Sequence, residues 1–132
     1  MEQLNHPIAL IVGGSSGIGF ATAKRLLERH IPVTIVGKSQ DKLEAAVREL
    51  LTLGTAEAFA ADLYAPNDVQ RILAFAEHHG RHIKYLVNAA GYFKPTSFLE
   101  HTPENYDTYL NLNRALFFIS QAVAKNMAAN GG

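Results

Sequence analysis

The chain has 132 residues, and its 12 basic side chains balance its 12 acidic ones. Hydrophobic residues make up 48% and charged residues 18%, a balance typical of one globular domain rather than a disordered segment. Zero net charge argues against nucleic acid and anionic membranes as partners, because both are bound by basic surfaces. The absence of cysteine excludes disulfides, thiolate metal sites and cysteine nucleophiles. No apolar run is long enough to span a bilayer. Because the lack of cysteine agrees with a reducing compartment, we expect a cytoplasmic protein.

Short apolar runs alternate with amphipathic stretches from the start of the chain. Residues 8–12 are all apolar and lead into glycines, which predicts a buried first strand. Residues 17–30 carry apolar or small side chains at helical spacing and predict the first helix. The β-branched run at 32–36 predicts a second strand. Ser39 is a suitable N-cap for a second helix, which Gly54 can close.

The same alternation continues in the second half of the chain. Residues 56–60 predict a third strand, and Pro66 is a suitable first residue for a third helix that Gly80 can end. Residues 83–87 predict a fourth strand, and Thr102 caps a long last helix. Strands alternating with helices form βαβ units, so the predicted fold is α/β, a Rossmann-like doubly wound parallel sheet of about four strands.

A glycine-rich turn, Gly13-Gly14-Ser15-Ser16-Gly17-Ile18-Gly19, joins the first strand to the first helix. At this place an α/β sheet offers free backbone N–H groups and the positive end of a helix dipole to an anion. Gly13 permits the tight turn, Gly17 lets a pyrophosphate approach the backbone, and Gly19 lets the helix lie close to the strand. The spacing differs from the commoner dinucleotide fingerprint and from the P-loop, which ends in Gly-Lys-Ser/Thr.

This turn resembles the Thr-Gly-x-x-x-Gly-x-Gly motif of the short-chain dehydrogenase/reductase family. Asp62-Leu63 resembles the family's adenine-pocket Asp, and Asn88-Ala89-Ala90-Gly91 resembles its Asn-Asn-Ala-Gly after the fourth strand. The resemblance covers essentially the whole chain. It implies an oxidoreductase that transfers hydride between a nicotinamide cofactor and a carbonyl or alcohol substrate.

The resemblance also implies one catalytic-network residue and two departures from the family pattern. Counted forward from Pro103, the family's helix Asn falls on Asn113; counted back from Phe117, its place falls on Leu112, and we assign the role to Asn113 because an Asn stands there. Val12 replaces the motif's Thr, and Ala89 replaces its second Asn. Both changes are expected to loosen the floor of the cofactor site without removing a backbone donor.

The end of the second strand bears on which cofactor is bound. An NAD enzyme of this architecture has a carboxylate about 20 residues beyond the glycines. Here Lys38-Ser39 stands in that place, and the first acid, Asp41, belongs to the next helix. Lys38 attracts a 2′-phosphate, and the Ser39 and Ser16 hydroxyls can donate to it. We therefore predict NADP rather than NAD; the alternative is that Lys38 is a solvated loop residue.

By the same resemblance, catalysis requires a Ser after a fifth strand and a Tyr followed four residues later by Lys. None of the five tyrosines has a Lys at that spacing. A doubly wound dinucleotide fold has about six strands, where about four are predicted here. We therefore expect residues 1–132 to be a single dinucleotide-binding domain, incomplete at the C-terminus and inactive alone. The alternative is a non-catalytic module that binds a dinucleotide or a partner.

Four further surface features bear on partners, metals and substrate. A 3-2-1-4 strand order would leave the fourth strand as an open apolar edge. The last helix carries more apolar surface than one sheet face can cover, which favours a homo-oligomer formed through it. His78 and His82 are interpreted as solvated residues, so no metal site is predicted. Tyr92 and Phe93 either shape a substrate entrance or cap the neighbouring helix.

Overall fold

The computed structural model describes residues 6–78 and 81–132. The helices and strands in these ranges are β1 (Ile8–Val12), α1 (Gly17–Glu28), β2 (Val33–Gly37), α2 (Gln40–Leu50), β3 (Ala56–Ala60), α3 (Pro66–Ala76), β4 (Ile83–Asn88) and α4 (Pro103–Ala129). A short 3-10 turn, Phe98–Glu100, precedes α4. All strand pairs are parallel, in the order β3-β2-β1-β4. The predicted α/β fold is confirmed.

The core lies on both faces of the sheet, because side chains along a strand alternate in direction. On one face Ala9 and Ile11 of β1 lie in a cluster with residues of α1 and α2. On the other face Ile8, Leu10 and Val12 lie in a cluster with residues of α3 and α4. All five β1 residues are buried, which explains the uninterrupted apolar run in the sequence.

Helix starts agree with the sequence more closely than helix ends do. The Ser39 hydroxyl accepts from the Lys42 amide at 3.4 Å, and the Thr102 hydroxyl accepts from the Asn105 amide at 3.2 Å, so both predicted caps are confirmed. Helix α1 ends at Glu28, two residues before the predicted end, and His30 has a φ of 63°. Leu51 lies one residue beyond the end of α2 and is 56% exposed. The predicted stop at Gly80 lies outside the described residues.

One buried polar side chain, Asn126 of α4, ties three elements together. Its amide nitrogen donates to the carbonyl oxygens of Ala76 at 2.9 Å and Arg81 at 2.8 Å. Its side-chain oxygen accepts from the Ile83 amide at 2.9 Å. A single side chain, about forty or more positions further along the chain, therefore supplies hydrogen-bond partners to backbone groups at the end of α3 and the start of β4.

Replacing Asn126 with leucine is expected to lower the free energy of unfolding by about 3 kcal/mol, because it leaves buried backbone groups without partners. Chemical denaturation followed by circular dichroism measures this change. Asn111→Leu, on the exposed surface of the same helix, is the matched control and should be nearly neutral. An Asn126→Leu variant as stable as the parent would contradict the structural role of this residue.

Part of the exposed apolar surface lies on the edge strand β4 and on the last helix, α4. In the sheet that the structure describes, β4 is an edge strand, and its Tyr85 is 42% exposed. On α4, Ile119 and Val123 are buried, whereas Phe117 is 64% exposed. The expectation that α4 has more apolar surface than the sheet can cover is therefore met. Among the described helices, none combines the length and apolarity needed to cross a membrane.

Candidate functional site

The four predicted site segments meet at one edge of the sheet, because the carboxyl ends of parallel strands lie together. The glycine turn follows β1, Lys38-Ser39 follows β2, Asp62-Leu63 follows β3, and Ala89-Ala90-Gly91 follows β4. A cleft of about 150 Å³ opens between them. Ligands of open α/β sheets bind at this edge.

Two glycines of the turn have no room for a side chain. Gly13 has a φ of 87°, and a Cβ placed on it would lie 2.6 Å from the Ala90 amide nitrogen. A Cβ on Gly19 would overlap the carbonyl oxygen of Gly13. The Gly13 amide donates to the Val36 carbonyl at 2.8 Å, which fixes the turn against β2. The turn is therefore a tightly packed connection that glycine alone allows.

Gly17 differs from Gly13 and Gly19 because it faces open space. Its φ is 58°, and no described atom lies within 4 Å of a Cβ built on it. Ser16 is the N-cap residue of α1, and its carbonyl accepts from the Phe20 amide at 3.2 Å. The backbone N–H groups of Gly17, Ile18 and Gly19 lie in the first turn and therefore have no carbonyl acceptor within the helix. Ile18 is 81% exposed, so this positive helix end is open to an anion.

The corner after β2 gathers hydroxyls and one cation. A Cβ built on Gly37 would lie 3.0 Å from the Ser15 hydroxyl oxygen, so Ser15 of the glycine turn reaches the end of β2. Lys38 is 78% exposed, and its Nζ lies 3.7 Å from Asp62 Oδ2. Ser39 accepts from the Lys42 amide, which leaves its O–H free to donate. Sequence reasoning placed Ser15 in the turn but could not place it beside Gly37.

Asp62 and its neighbours form the wall of the cleft after β3. Its Oδ1 accepts from the Tyr64 amide at 2.9 Å, which closes a tight turn around the carboxylate. Tyr64 lines the same cleft, a position that the sequence analysis did not assign. Partial burial, and then the neighbouring Tyr92 and Asp62, raise the pKa of the Tyr64 phenol. The only signal for Tyr64 in the sequence is its place one residue after Asp62-Leu63.

The segment after β4 is held by backbone contacts. The Ala89 amide donates to the Val12 carbonyl at 2.8 Å, and the Ala89 methyl group lies 3.1 Å from a Cβ built on Gly19. The Val12 side chain is buried in the core beneath the turn. The Asn88 side chain contacts α4 instead: its side-chain nitrogen donates to the Ser120 hydroxyl at 3.0 Å.

The structure places the two alternatives for the helix Asn differently. Leu112 is 8% exposed and lines the cleft. Asn113, the predicted catalytic-network residue, is exposed on α4 and is not among the residues that line the cleft. A role for Asn113 stays a prediction.

The aromatic side chains after β4 have separate environments. The Tyr92 ring meets the Tyr109 ring of α4 edge to face, with centroids 5.0 Å apart. The Tyr109 hydroxyl accepts from the Lys94 amide at 2.9 Å and donates to the Lys94 carbonyl at 3.0 Å. Phe93 is 86% exposed. Tyr92 thus packs against the side of α4, while Phe93 projects from the surface beside the strand ends.

The described part of the chain holds no group of three or more His, Asp or Glu side chains that could bind a metal ion. His82 lies with Nε2 3.0 Å from the carbonyl oxygen of Gly132. The polar groups around the cleft, by contrast, are backbone amides, hydroxyls, one lysine and one aspartate. This set of donors suits a phosphate-bearing organic ligand better than a metal ion.

Fold and site together define a Rossmann-type α/β domain with a glycine-rich turn between its first strand and first helix. The short chain dehydrogenase family profile matches residues 7–132. The chain belongs to the short-chain dehydrogenase/reductase family, as the sequence motifs implied.

Two family members match nearly the whole chain. A 3α-hydroxysteroid dehydrogenase of Mediterraneibacter gnavus is 32% identical over 98% of this chain and 54% of its own length. A hydroxynaphthalene reductase-like protein of Metarhizium robertsii is 35% identical over 99% of this chain and 50% of its own. The chain therefore spans about half the length of the curated relatives it matches.

Solved structures of family members have the same architecture. A short-chain dehydrogenase from Sphingobium yanoikuyae in complex with NADPH superposes with a TM-score of 0.87, at 31% identity over 95% of this chain and 50% of that chain. L-sorbose reductase from Gluconobacter frateurii, complexed with NADPH and L-sorbose, gives a TM-score of 0.88 at 26% identity, over 97% of this chain and 50% of that one.

Proposed function

We propose that this chain binds NADP(H) as the cofactor-binding part of a short-chain oxidoreductase that acts on a small carbonyl or alcohol substrate. The observation that carries the proposal is the corner after β2, where Lys38 stands in place of the carboxylate that an NAD enzyme presents. The presence of NADPH in two similar structures supports the same cofactor. The names of the relatives, a hydroxysteroid dehydrogenase and a reductase-like protein, support the reaction class.

The groups around the open cleft suit such a cofactor. The first-turn amides of α1 would hold the pyrophosphate, because the space in front of them is open. A side chain at Gly17 would fill that space. Lys38, Ser39 and Ser15, with Ser16 nearby in the turn, would hold the 2′-phosphate. Asp62 and Leu63 would flank the adenine, and Asn88-Ala89-Ala90-Gly91 would lie under the nicotinamide half. When bound, the nicotinamide supplies the hydride.

Turnover requires groups beyond those that this chain carries. In the family pattern a Ser and a Tyr-x-x-x-Lys pair act on the carbonyl, and no tyrosine here has Lys four residues on. Asn113 is proposed as the one residue of the catalytic network in these 132 positions. We infer that the chain by itself binds cofactor without reducing substrate, that the enzyme works in the cytoplasm, and that exposed Phe117 of α4 contributes to a homo-oligomer.

A second candidate is a non-catalytic dinucleotide-binding module. The same cleft supports it, and so does the exposed edge strand β4, which offers unpaired backbone groups to a partner. The two functions differ in the oxidation of NADPH by carbonyl compounds. The non-catalytic module would lack this activity even as part of a longer protein.

Titration of the purified protein with NADPH and NADH, followed by fluorescence, tests the proposed function. We expect NADPH to bind about tenfold more tightly than NADH or better, because the 2′-phosphate adds charge-assisted hydrogen bonds. Equal affinity for the two cofactors would contradict the NADP assignment. Binding of neither would contradict dinucleotide binding itself.

A further inference from the structure

Three backbone groups in two consecutive peptide units at the end of β3, the Ala60 carbonyl and the Ala61 and Asp62 amides, each make a hydrogen bond. The Ala61 amide donates to the Gly37 carbonyl of β2 at 2.8 Å. On the opposite side, where the described sheet has no further strand, the Ala60 carbonyl and the Asp62 amide face outward. Unpaired groups of this kind at an edge are free to move or to pair with another chain. Here side chains of α3 satisfy both of them.

Asp68 and Arg71, one turn apart on α3, supply those side chains. The Arg71 guanidinium donates to the Ala60 carbonyl at 2.6 Å. Asp68 Oδ2 accepts from the Asp62 amide at 2.8 Å, and Asp68 Oδ1 lies 3.2 Å from the Arg71 guanidinium. One ion pair thus holds both ends of the segment 60–62. We name Asp68 and Arg71 the α3 clamp.

Asp68 is ionised when it makes these contacts. The hydrogen bond from the Asp62 amide, and then the one from Arg71, hold the pKa of the Asp68 carboxyl below its usual range. A lowered pKa means that the contribution is complete above the ordinary aspartate pKa and is lost only as the pH falls through the lowered value. The α3 clamp is therefore fully formed at neutral pH.

The clamp acts on the backbone that carries the Asp62 carboxylate. Asp62 Oδ1 is already turned back onto the Tyr64 amide, so fixing residues 60–62 fixes the direction of Oδ2 as well. Asp68 could have served its own helix, since the N-cap residue Ala65 has no side-chain acceptor. Its oxygens instead contact the strand end and Arg71. A carboxylate held in advance binds its ligand with a smaller loss of conformational freedom.

We infer that Asp68 and Arg71 are positioning residues that hold the Asp62 loop in the geometry that receives the adenine half of the cofactor. The inference rests on the proposed NADP(H) binding. It assigns a function to two α3 residues that do not line the cleft. It also explains why the adenine wall can stay ordered at an exposed edge of the sheet.

Binding of two cofactor halves tests this inference. Adenosine 2′,5′-bisphosphate reports on the adenine side and reduced nicotinamide mononucleotide on the other side, with affinities measured by NMR titration of the purified protein. For Asp68→Ala we expect about tenfold weaker binding of the adenosine bisphosphate and unchanged binding of the mononucleotide. Asp68→Asn keeps an acceptor for the Asp62 amide, so it should recover part of the loss. Glu104→Ala, which removes a first-turn acid from α4, is the matched control and should change neither affinity.

The outcomes separate the positioning role from the cofactor assignment. If the parent protein binds both halves and Asp68→Ala binds the adenosine bisphosphate equally well, the positioning role is wrong and the proposed function stands. Equal losses for both halves mean a general structural role and also overturn the inference. If the parent protein binds neither half, the proposed function is wrong and the inference falls with it. Asp68→Asn provides the same comparison where Asp68→Ala does not fold.

Discussion

Replacing Gly17 with valine is expected to abolish dinucleotide binding while the domain remains folded. A Cβ at this position lies in open space, so the cost to the fold is the backbone strain that the positive φ places on valine. It fills the space before the first-turn amides of α1, where the pyrophosphate is proposed to lie. The loss of two or more hydrogen bonds to a charged phosphate predicts a dissociation constant at least about 100-fold higher.

Fluorescence titration with NADPH measures the loss, and far-UV circular dichroism monitors the fold. A positive φ strains any valine, so the control must carry the same strain away from the cleft. Gly131→Val meets this need, since Gly131 has a φ of 86° and also faces open space. Undiminished binding by Gly17→Val, or equal loss in both variants, would show that the turn does not receive the pyrophosphate. Gly19 is unsuitable for this test, because its Cβ would overlap the Gly13 carbonyl and disrupt the turn itself.

Replacing Lys38 with aspartate is expected to weaken NADPH binding about 30-fold and to leave NADH binding nearly unchanged. The substitution removes the cation proposed to face the 2′-phosphate and puts a repelling carboxylate in its place. It also breaks the ion pair between Lys38 and Asp62, but this change in the protein is the same whichever cofactor is bound. The difference between the two cofactors therefore isolates the 2′-phosphate contribution.

Parallel titrations of NADPH and NADH with Lys38→Asp make this measurement. Lys125→Asp, an exposed position on α4, changes the net charge by the same amount and should affect neither cofactor. Raising the salt concentration should reduce the preference of the parent protein for NADPH, because Lys38 is exposed and its charge is screened. Equal losses of NADPH and NADH binding by Lys38→Asp would sink the 2′-phosphate assignment.

Much of the fold could be predicted because its signals are local. The apolar run of β1 reflects burial on both faces of a parallel sheet, and the caps at Ser39 and Thr102 act within three residues of their own positions. Element ends were less predictable. The end of α2 at Leu50 depends on where the chain must turn toward β3, and the periodicity of the sequence continues to Leu51 regardless.

The candidate site divides in the same way. Its glycine turn and the segments that begin at Lys38, Asp62 and Asn88 were identified from short motifs, and the topology brings all of them to one sheet edge. The cleft position of Tyr64 was missed, because no local pattern reports which loop faces a cleft. Counting along the sequence likewise gave two answers for the helix Asn, Asn113 and Leu112. The orientation of α4 places Leu112 in the cleft.

By itself, the sequence determined the order of strands and helices, the family, and the chemistry of the turn, since each depends on residues adjacent along the chain. Only the tertiary structure decided which distant groups meet. In the folded chain Asn126 contacts Ile83, Ser15 lies beside Gly37, and the α3 clamp contacts the end of β3. The physical reason is that these contacts join residues through the packing of whole elements, and hydrogen bonds of that kind leave no periodic trace in the sequence.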